Sequence, residues 1–162
     1  MQLMPHRNRF DPLARIKRPP SPNRVLDRTH RLFILEDDQL DRLIAHQHLQ
    51  RSFPGLSITS MSTGAALIEA LEASTDTAVI VLDLGLPQDD AFEVMVRIAD
   101  LRASGRVRGG HVIVLTGQDV EDIDSRCRAL GALAVLSKNA STADYNHLIS
   151  AIEIVIKTPR QS

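Results

Sequence analysis

Four short apolar runs, Leu32–Leu35, Val79–Leu82, Val112–Leu115 and Leu133–Leu136, recur along the chain, and after each the apolar residues return at helical spacing. Runs of this length bounded by polar residues predict strands buried on both faces. Their alternation with helices predicts an α/β domain with a parallel sheet covered on both sides. A fifth strand, Leu56–Ser60, is less apolar. Helix one is predicted from about Asp38 to Ser52, with Leu40, Leu43, Ile44 and Leu49 on one buried face, ending at Phe53-Pro54-Gly55. Helix two, about Thr63 to Ala73, buries Leu67, Ile68 and Leu71. Helix three starts at Asp90 with Glu93 three residues on, a capping-box-like opening, and carries Phe92, Met95, Val96 and Ile98. Helix four, about Val120 to Leu130, places Ile123, Cys127 and Leu130 in step, and Gly131 suits the left-handed C′ position. Helix five opens at Ser141 with Asp144 at N3 and runs to about Lys157.

Each of the four runs ends in a polar residue of one chemical set: Glu36-Asp37, Asp83, Thr116 and, just past the last run, Lys138. In an open parallel sheet these groups converge at the carboxyl edge, where such folds bind ligands. Three carboxylates crowded there repel one another strongly enough to call for a hard divalent cation, most simply Mg²⁺, which prefers oxygen ligands. Lys138 adds a point positive charge and Thr116 a hydroxyl donor. The combination suits phosphoryl transfer to a carboxylate and predicts an aspartyl phosphate.

At 162 residues, 43% of them hydrophobic, the chain is sized for one well-buried core. No apolar stretch approaches the roughly 18 to 20 residues of a membrane span, and the N-terminus lacks a signal-peptide core, so a cytoplasmic location is expected. The single cysteine, Cys127, excludes an internal disulfide framework and is expected to be a buried, inert thiol. The net charge of −1 hides an asymmetry. Residues 1–31 carry eight basic and two acidic side chains, leaving eleven basic and eighteen acidic in 32–162. Five of the eight prolines fall within the first 22 residues. The expected organisation is a basic, Pro/Arg-rich arm at 1–30, a domain at 31–158 and a short tail at 159–162, with no room for an output domain. The arm reads either as a solvated tail or as a docking segment, since Asp11-Pro12 and Ser21-Pro22 look like helix starts and Leu13, Ile16, Val25 and Leu26 give it something to bury. Nucleic-acid binding by the arm is opposed by the acidic domain and by its lack of aromatic residues other than Phe10.

At its polar strand ends the chain resembles the receiver domain of two-component response regulators. The resemblance rests on Ile34-Leu35-Glu36-Asp37-Asp38, then Val81-Leu82-Asp83-Leu84-Gly85-Leu86-Pro87, then Val114-Leu115-Thr116-Gly117, and last Gly131-Ala132 leading to Leu136-Ser137-Lys138. It implies a flavodoxin-like (βα)5 fold of strand order 2-1-3-4-5 and phosphoryl transfer from a histidine kinase, or exchange with a histidine phosphotransfer protein. By the resemblance Asp83 is the phosphoacceptor, Asp37 a direct Mg²⁺ ligand and Glu36 a ligand through water. The same likeness has Gly85 lend a backbone carbonyl to the metal, Thr116 and Lys138 engage the phosphoryl group, and Pro87 shape the loop. Gly85 and Gln118 occupy positions that tune hydrolysis in the family, and kinase pairing belongs to helix one and the loop after strand five.

Two positions depart from the family pattern. Val135 stands where an aromatic residue usually reports phosphorylation, and Asn139 follows the lysine in place of proline, so a trans bond is expected there. These departures are the support for an alternative, a degenerate receiver acting as a phosphorylation-independent adaptor or dimerisation module. A phosphatase of the haloacid dehalogenase kind would need aspartate where Gly85 stands. Asp38 and Asp90 read as helix N-caps, and His46 and His48, on different helix faces, as surface histidines. On helix five, Ile154, Ile156 and Ala151 lie outside the inward stripe of Tyr145, Leu148, Ile149, Ile152 and Val155, which predicts an interface and a homodimer through helix five and the arm.

Overall fold

The computed structural model describes residues 30–87, 90–138 and 142–158. Strands β1 (His30–Leu35), β2 (Ser57–Met61), β3 (Thr77–Asp83), β4 (Gly109–Thr116) and β5 (Ala132–Ser137) alternate with helices α1 (Gln39–Ser52), α2 (Gly64–Ala73), α3 (Ala91–Ala103), α4 (Val120–Ala129) and α5 (Thr142–Lys157). The strands form one parallel sheet in the order β2-β1-β3-β4-β5, the flavodoxin-like arrangement expected. β2 begins and ends one residue later than the sequence pattern placed it. Among the described residues no helix is long and apolar enough to cross a membrane. The arm at 1–29, the predicted opening of helix five at Ser141, and Asn139 lie outside the residues whose structure is described.

Alternate side chains of each central strand feed two separate cores, because a strand's side chains point to opposite faces in turn. Phe33, Leu35, Ile80, Leu82, Val112 and Val114 pack with α2, α3 and α4. Leu32, Ile34, Val79, Val81 and Ile113 pack against α1 and α5 through Ala45, Leu49, Leu148, Ile152 and Val155. By the same alternation Glu36, Asp83 and Lys138 continue the α1/α5 face, while Thr116 continues the other. At the opposite end of the sheet the β3–β4 register shifts beside Ala78. Gly109 sits there at φ +70°, where a Cβ would come 2.6 Å from Thr77 Cγ2, so only glycine fits.

The helix starts behave as short polar side chains dictate. Asp38 accepts from the Asp41 N–H, Thr63 from that of Ala66, Asp90 from that of Phe92 and Asp119 from that of Glu121. Gly131 follows α4 at φ +95°, the left-handed C′ residue expected. The apolar face of α1 differs from the expectation: Leu40, Leu43 and Ile44 are exposed, and Ala45 and Leu49 face the sheet. Leu40 and Leu49 are nine residues apart, two and a half turns, so they lie on opposite sides of the helix. In α3, Val94 and Leu101 join Met95 and Ile98 inside, while Val96 is left exposed. In α5 only Ile154 of the three residues outside the stripe is exposed; Ala151 and Ile156 pack on the second core.

Candidate functional site

The carboxyl edge of the sheet gathers the polar strand ends, and backbone bonds hold them there. Leu35 stands opposite Leu82 in the β1–β3 register, which brings Glu36 level with Asp83 one step on. The ladders extend past the strands: the Glu36 N–H donates to the Met61 carbonyl at 3.1 Å, the Leu84 N–H to that of Leu115 at 3.0 Å, and the Lys138 N–H to that of Thr116 at 2.6 Å. Each of these polar side chains therefore stands within a residue or two of a hydrogen-bonded strand end, which limits its motion.

Glu36 and Asp83 are only 4% and 6% exposed, and Asp37 is half-buried beside them. One carboxylate oxygen from each of Glu36, Asp37 and Asp83 lies within 4.8 Å of the others, a spacing that one cation can bridge. Among the described residues this is the one such cluster of three. The Lys138 ammonium reaches into it, 2.5 Å from Glu36 Oε2 and 3.3 Å from Asp83 Oδ2. Asp83 Oδ1 accepts the Gly85 N–H at 2.9 Å, so both acceptor oxygens are held in known directions. Thr116 is fully buried, and its Oγ1 accepts the Gln118 N–H at 2.9 Å. Gln118 and Pro87 are exposed at the rim. Val135 is buried in the core shared with α2, α3 and α4.

Charge balance at the site is incomplete. Burial, reinforced by the neighbouring Asp83 charge, pushes the Glu36 carboxyl up from 4.5 to about 7, although Lys138 and the Asp38 N–H pull the other way. Burial also works against the Lys138 ammonium, yet hydrogen bonds to Glu36 and Asp41, with the Asp83 charge, hold its pKa above the ordinary 10.5. The two shifts agree with one picture: one ammonium is shared by more carboxylates than it can neutralise.

Two residues at this edge were not read from the sequence. Asp41 Oδ2 lies 3.0 Å from Lys138 Nζ. Arg42 Nη1 donates to the carbonyls of Glu36 at 2.7 Å and Asp37 at 3.2 Å, tying the loop that carries two carboxylates to the first turn of α1. Their signal was position alone: one turn into a helix that starts directly behind the carboxylate pair. The histidines differ from expectation too. His46 Nδ1 lies 2.6 Å from Ser60 Oγ and His48 stacks on Tyr145 with centroids 4.4 Å apart, so both are half-buried and partnered within the α1 packing. Cys127 is buried as expected, and burial raises its thiol pKa.

Comparison with protein families matches the response regulator receiver domain over residues 32–153. The chain is 22% identical over 118 residues to the two-component response regulator ORR5 of Oryza sativa subsp. japonica, across 73% of this chain and 84% of that protein. It is 26% identical over 126 residues to protein-glutamate methylesterase/protein-glutamine glutaminase 2 of Anaeromyxobacter dehalogenans, across 76% of this chain and 35% of that one. Among solved structures, the signal receiver domain of the DNA binding response regulator merR from Colwellia psychrerythraea 34H aligns with a TM-score of 0.68 at 26% identity, covering 80% of this chain and 99% of that one. The receiver domain of sensor histidine kinase PA1611 from Pseudomonas aeruginosa PAO1, solved with a magnesium ion coordinated in its active site cleft, shares the fold at a TM-score of 0.62 and 18% identity, over 80% and 98% of the two chains. By the family match, which runs from β1 into α5, the chain belongs to the receiver domains of two-component response regulators, modules that accept a phosphoryl group.

Proposed function

We propose that the chain works as a response regulator receiver, with the receiver domain at 31–158 behind a basic arm at 1–30 and before a tail at 159–162. Asp83 accepts the phosphoryl group from the phosphohistidine of a sensor histidine kinase or exchanges it with a histidine phosphotransfer protein. The observation that carries this reading is the reach of one ammonium, Lys138, to both Asp83 and Glu36 beside the Asp37 carboxylate.

In the transfer an Asp83 oxygen forms the new P–O bond as the P–N bond to the donor imidazole breaks; the imidazole nitrogen keeps the electron pair and takes up a proton. The Gly85 N–H on Oδ1 fixes the carboxylate, with Oδ2 on the Lys138 side. The ammonium then moves onto a phosphoryl oxygen, where it offsets charge as the bond forms. Thr116 Oγ1 already accepts the Gln118 N–H, which leaves its own hydrogen to donate to a second phosphoryl oxygen. The same groups assist attack of water on the aspartyl phosphate, so the signal is self-limiting.

Three hard oxygen donors within 4.8 Å, one of them with its carboxyl raised to about 7 by burial and like charge, fit a divalent cation, and Mg²⁺ is our reading. Asp37 and Asp83 would hold it directly with the Gly85 carbonyl, and Glu36 through water. When bound it neutralises equatorial oxygens of the transferring group.

Signalling is by contact, in the cytoplasm. The exposed Leu40, Leu43 and Ile44 on α1 flank the acidic edge and suit a docking kinase, while exposed Leu133 and Ile154 suit a homodimer through α5. Val135, too small for an aromatic switch, favours the rival adaptor reading, in which contacts do not depend on phosphorylation. Acetyl phosphate with Mg²⁺, followed by intact-mass measurement, separates the two. A gain of one phosphoryl mass in wild type, absent in Asp83→Asn and abolished by chelation, supports the receiver chemistry; no gain by folded wild type favours the adaptor.

A further inference from the structure

The Lys138 ammonium has three N–H donors and three carboxylates around it: Glu36 at 2.5 Å, Asp41 at 3.0 Å and Asp83 at 3.3 Å. Its capacity is filled, and an incoming phosphoryl oxygen gains it only by displacing one of them. The three partners are not equivalent. The side chains of Glu36 and Asp83 are 6% and 8% exposed, whereas that of Asp41 is 47% exposed. Water replaces the ammonium at an exposed carboxylate at little cost, but at a buried one the lost partner leaves an uncompensated charge. Asp41 is therefore the contact that Lys138 surrenders most readily.

The position of Asp41 in α1 admits a simpler role, since an acid at N3 complements the helix dipole. That role needs no aim toward β5, and the capping itself is done by Asp38, which accepts the Asp41 N–H at 2.8 Å. The Asp41 side chain instead turns to the Lys138 ammonium. We propose that Asp41 is a positioning residue that sets the resting place of the Lys138 ammonium and acts as a brake on loading of Asp83, an inference that rests on Asp83 being the acceptor. Its sign follows from charge in both states. Before transfer Asp41 holds the ammonium that the phosphoryl group needs; after transfer its carboxylate repels the dianionic group nearby. Both effects favour the unphosphorylated form.

The test compares wild type, Asp41→Asn, Asp41→Ser and Asp41→Glu at saturating Mg²⁺, reading the rate of phosphoryl gain from acetyl phosphate and the affinity for beryllofluoride as a phosphoryl mimic. Glu93→Gln removes an acid from the same N3 position of α3 and serves as the control. Asp41→Asn and Asp41→Ser are expected to load about two- to fivefold faster and to bind the mimic tighter by a similar factor, the range of a half-exposed ion pair. The advantage should shrink as salt rises toward about 1 M, which a change in folding alone does not produce. Asp41→Glu should return toward the wild-type rate, and Glu93→Gln should not differ from it. Loading by Asp41→Asn and Asp41→Ser at or below the wild-type rate, while wild type itself loads, overturns the brake and leaves the acceptor reading intact. A folded wild type that neither gains the phosphoryl mass nor binds the mimic overturns both.

Discussion

Replacing Glu36 by glutamine should make the metal-free protein more stable while impairing its chemistry. Glu36 is 4% exposed and its carboxyl is raised from 4.5 to about 7, chiefly by burial and further by Asp83. A folded-state pKa above the unfolded value means that the folded chain holds the proton more tightly. The Glu36 penalty is therefore absent below about pH 4.5, grows as pH rises, and is complete above about pH 7. At about 1.4 kcal/mol per pH unit, the shift amounts to about 3 kcal/mol at pH 8 and about 1 kcal/mol at pH 5. Glutamine keeps the shape and an acceptor for the Asp38 N–H but weakens the Lys138 contact, so a net gain of about 1 to 3 kcal/mol is expected at pH 8. Urea unfolding of wild type and Glu36→Gln in chelator, at pH 8 and pH 5, measures both numbers. A variant less stable than wild type at pH 8, or a gain equal at the two pH values, would refute the account of Glu36 as a buried, under-neutralised acid. Adding Mg²⁺ at pH 8 should stabilise wild type more than the variant, because the cation binds the folded state alone.

Arg42→Met keeps an unbranched side chain but removes the donor to the Glu36 and Asp37 carbonyls; Mg²⁺ affinity should fall about tenfold, the scale of outer supporting contacts, with unfolding little changed, and calorimetric Mg²⁺ titration reads it. His111 is half-buried, and burial, with Arg102 and His30 nearby, lowers its pKa below 6.5, so its contribution to stability is present above about pH 6.5 and lost as pH falls below that. His111→Gln should lose less stability than wild type between pH 7 and pH 5 by urea titration, and equal slopes would count against the assignment.

The sheet and the polar cluster at its carboxyl edge were legible because they follow from a buried run, a polar residue at its end, and a parallel topology that brings such ends together. The face of α1 was not. Leu40, Leu43 and Ile44 are as apolar as any core residue, and a pattern that counts apolar positions assigns them inward. Ala45 and Leu49 win the sheet because the loop behind Glu36-Asp37 and its tie to Arg42 fix the rotation of the helix. Conversely Ala151 and Ile156 looked spare but pack on the second core, since a helix lying on a sheet buries more than a narrow stripe. Asp41 escaped notice because its partner is nearly a hundred residues away, and pairing at that range follows from topology rather than from spacing.

The split of the sheet into two cores gives the proposed acceptor edge two audiences. Glu36, Asp83 and Lys138 belong by alternation to the side of α1 and α5, and Thr116 to the side of α2, α3 and α4. One phosphoryl group touching both Lys138 and Thr116 would thus tug on two separately packed cores, one on each side of the sheet. A partner seated on α1 and α5 and another seated across the sheet would hear the same event through different side chains, and a substitution in one core would deafen one listener while sparing the other.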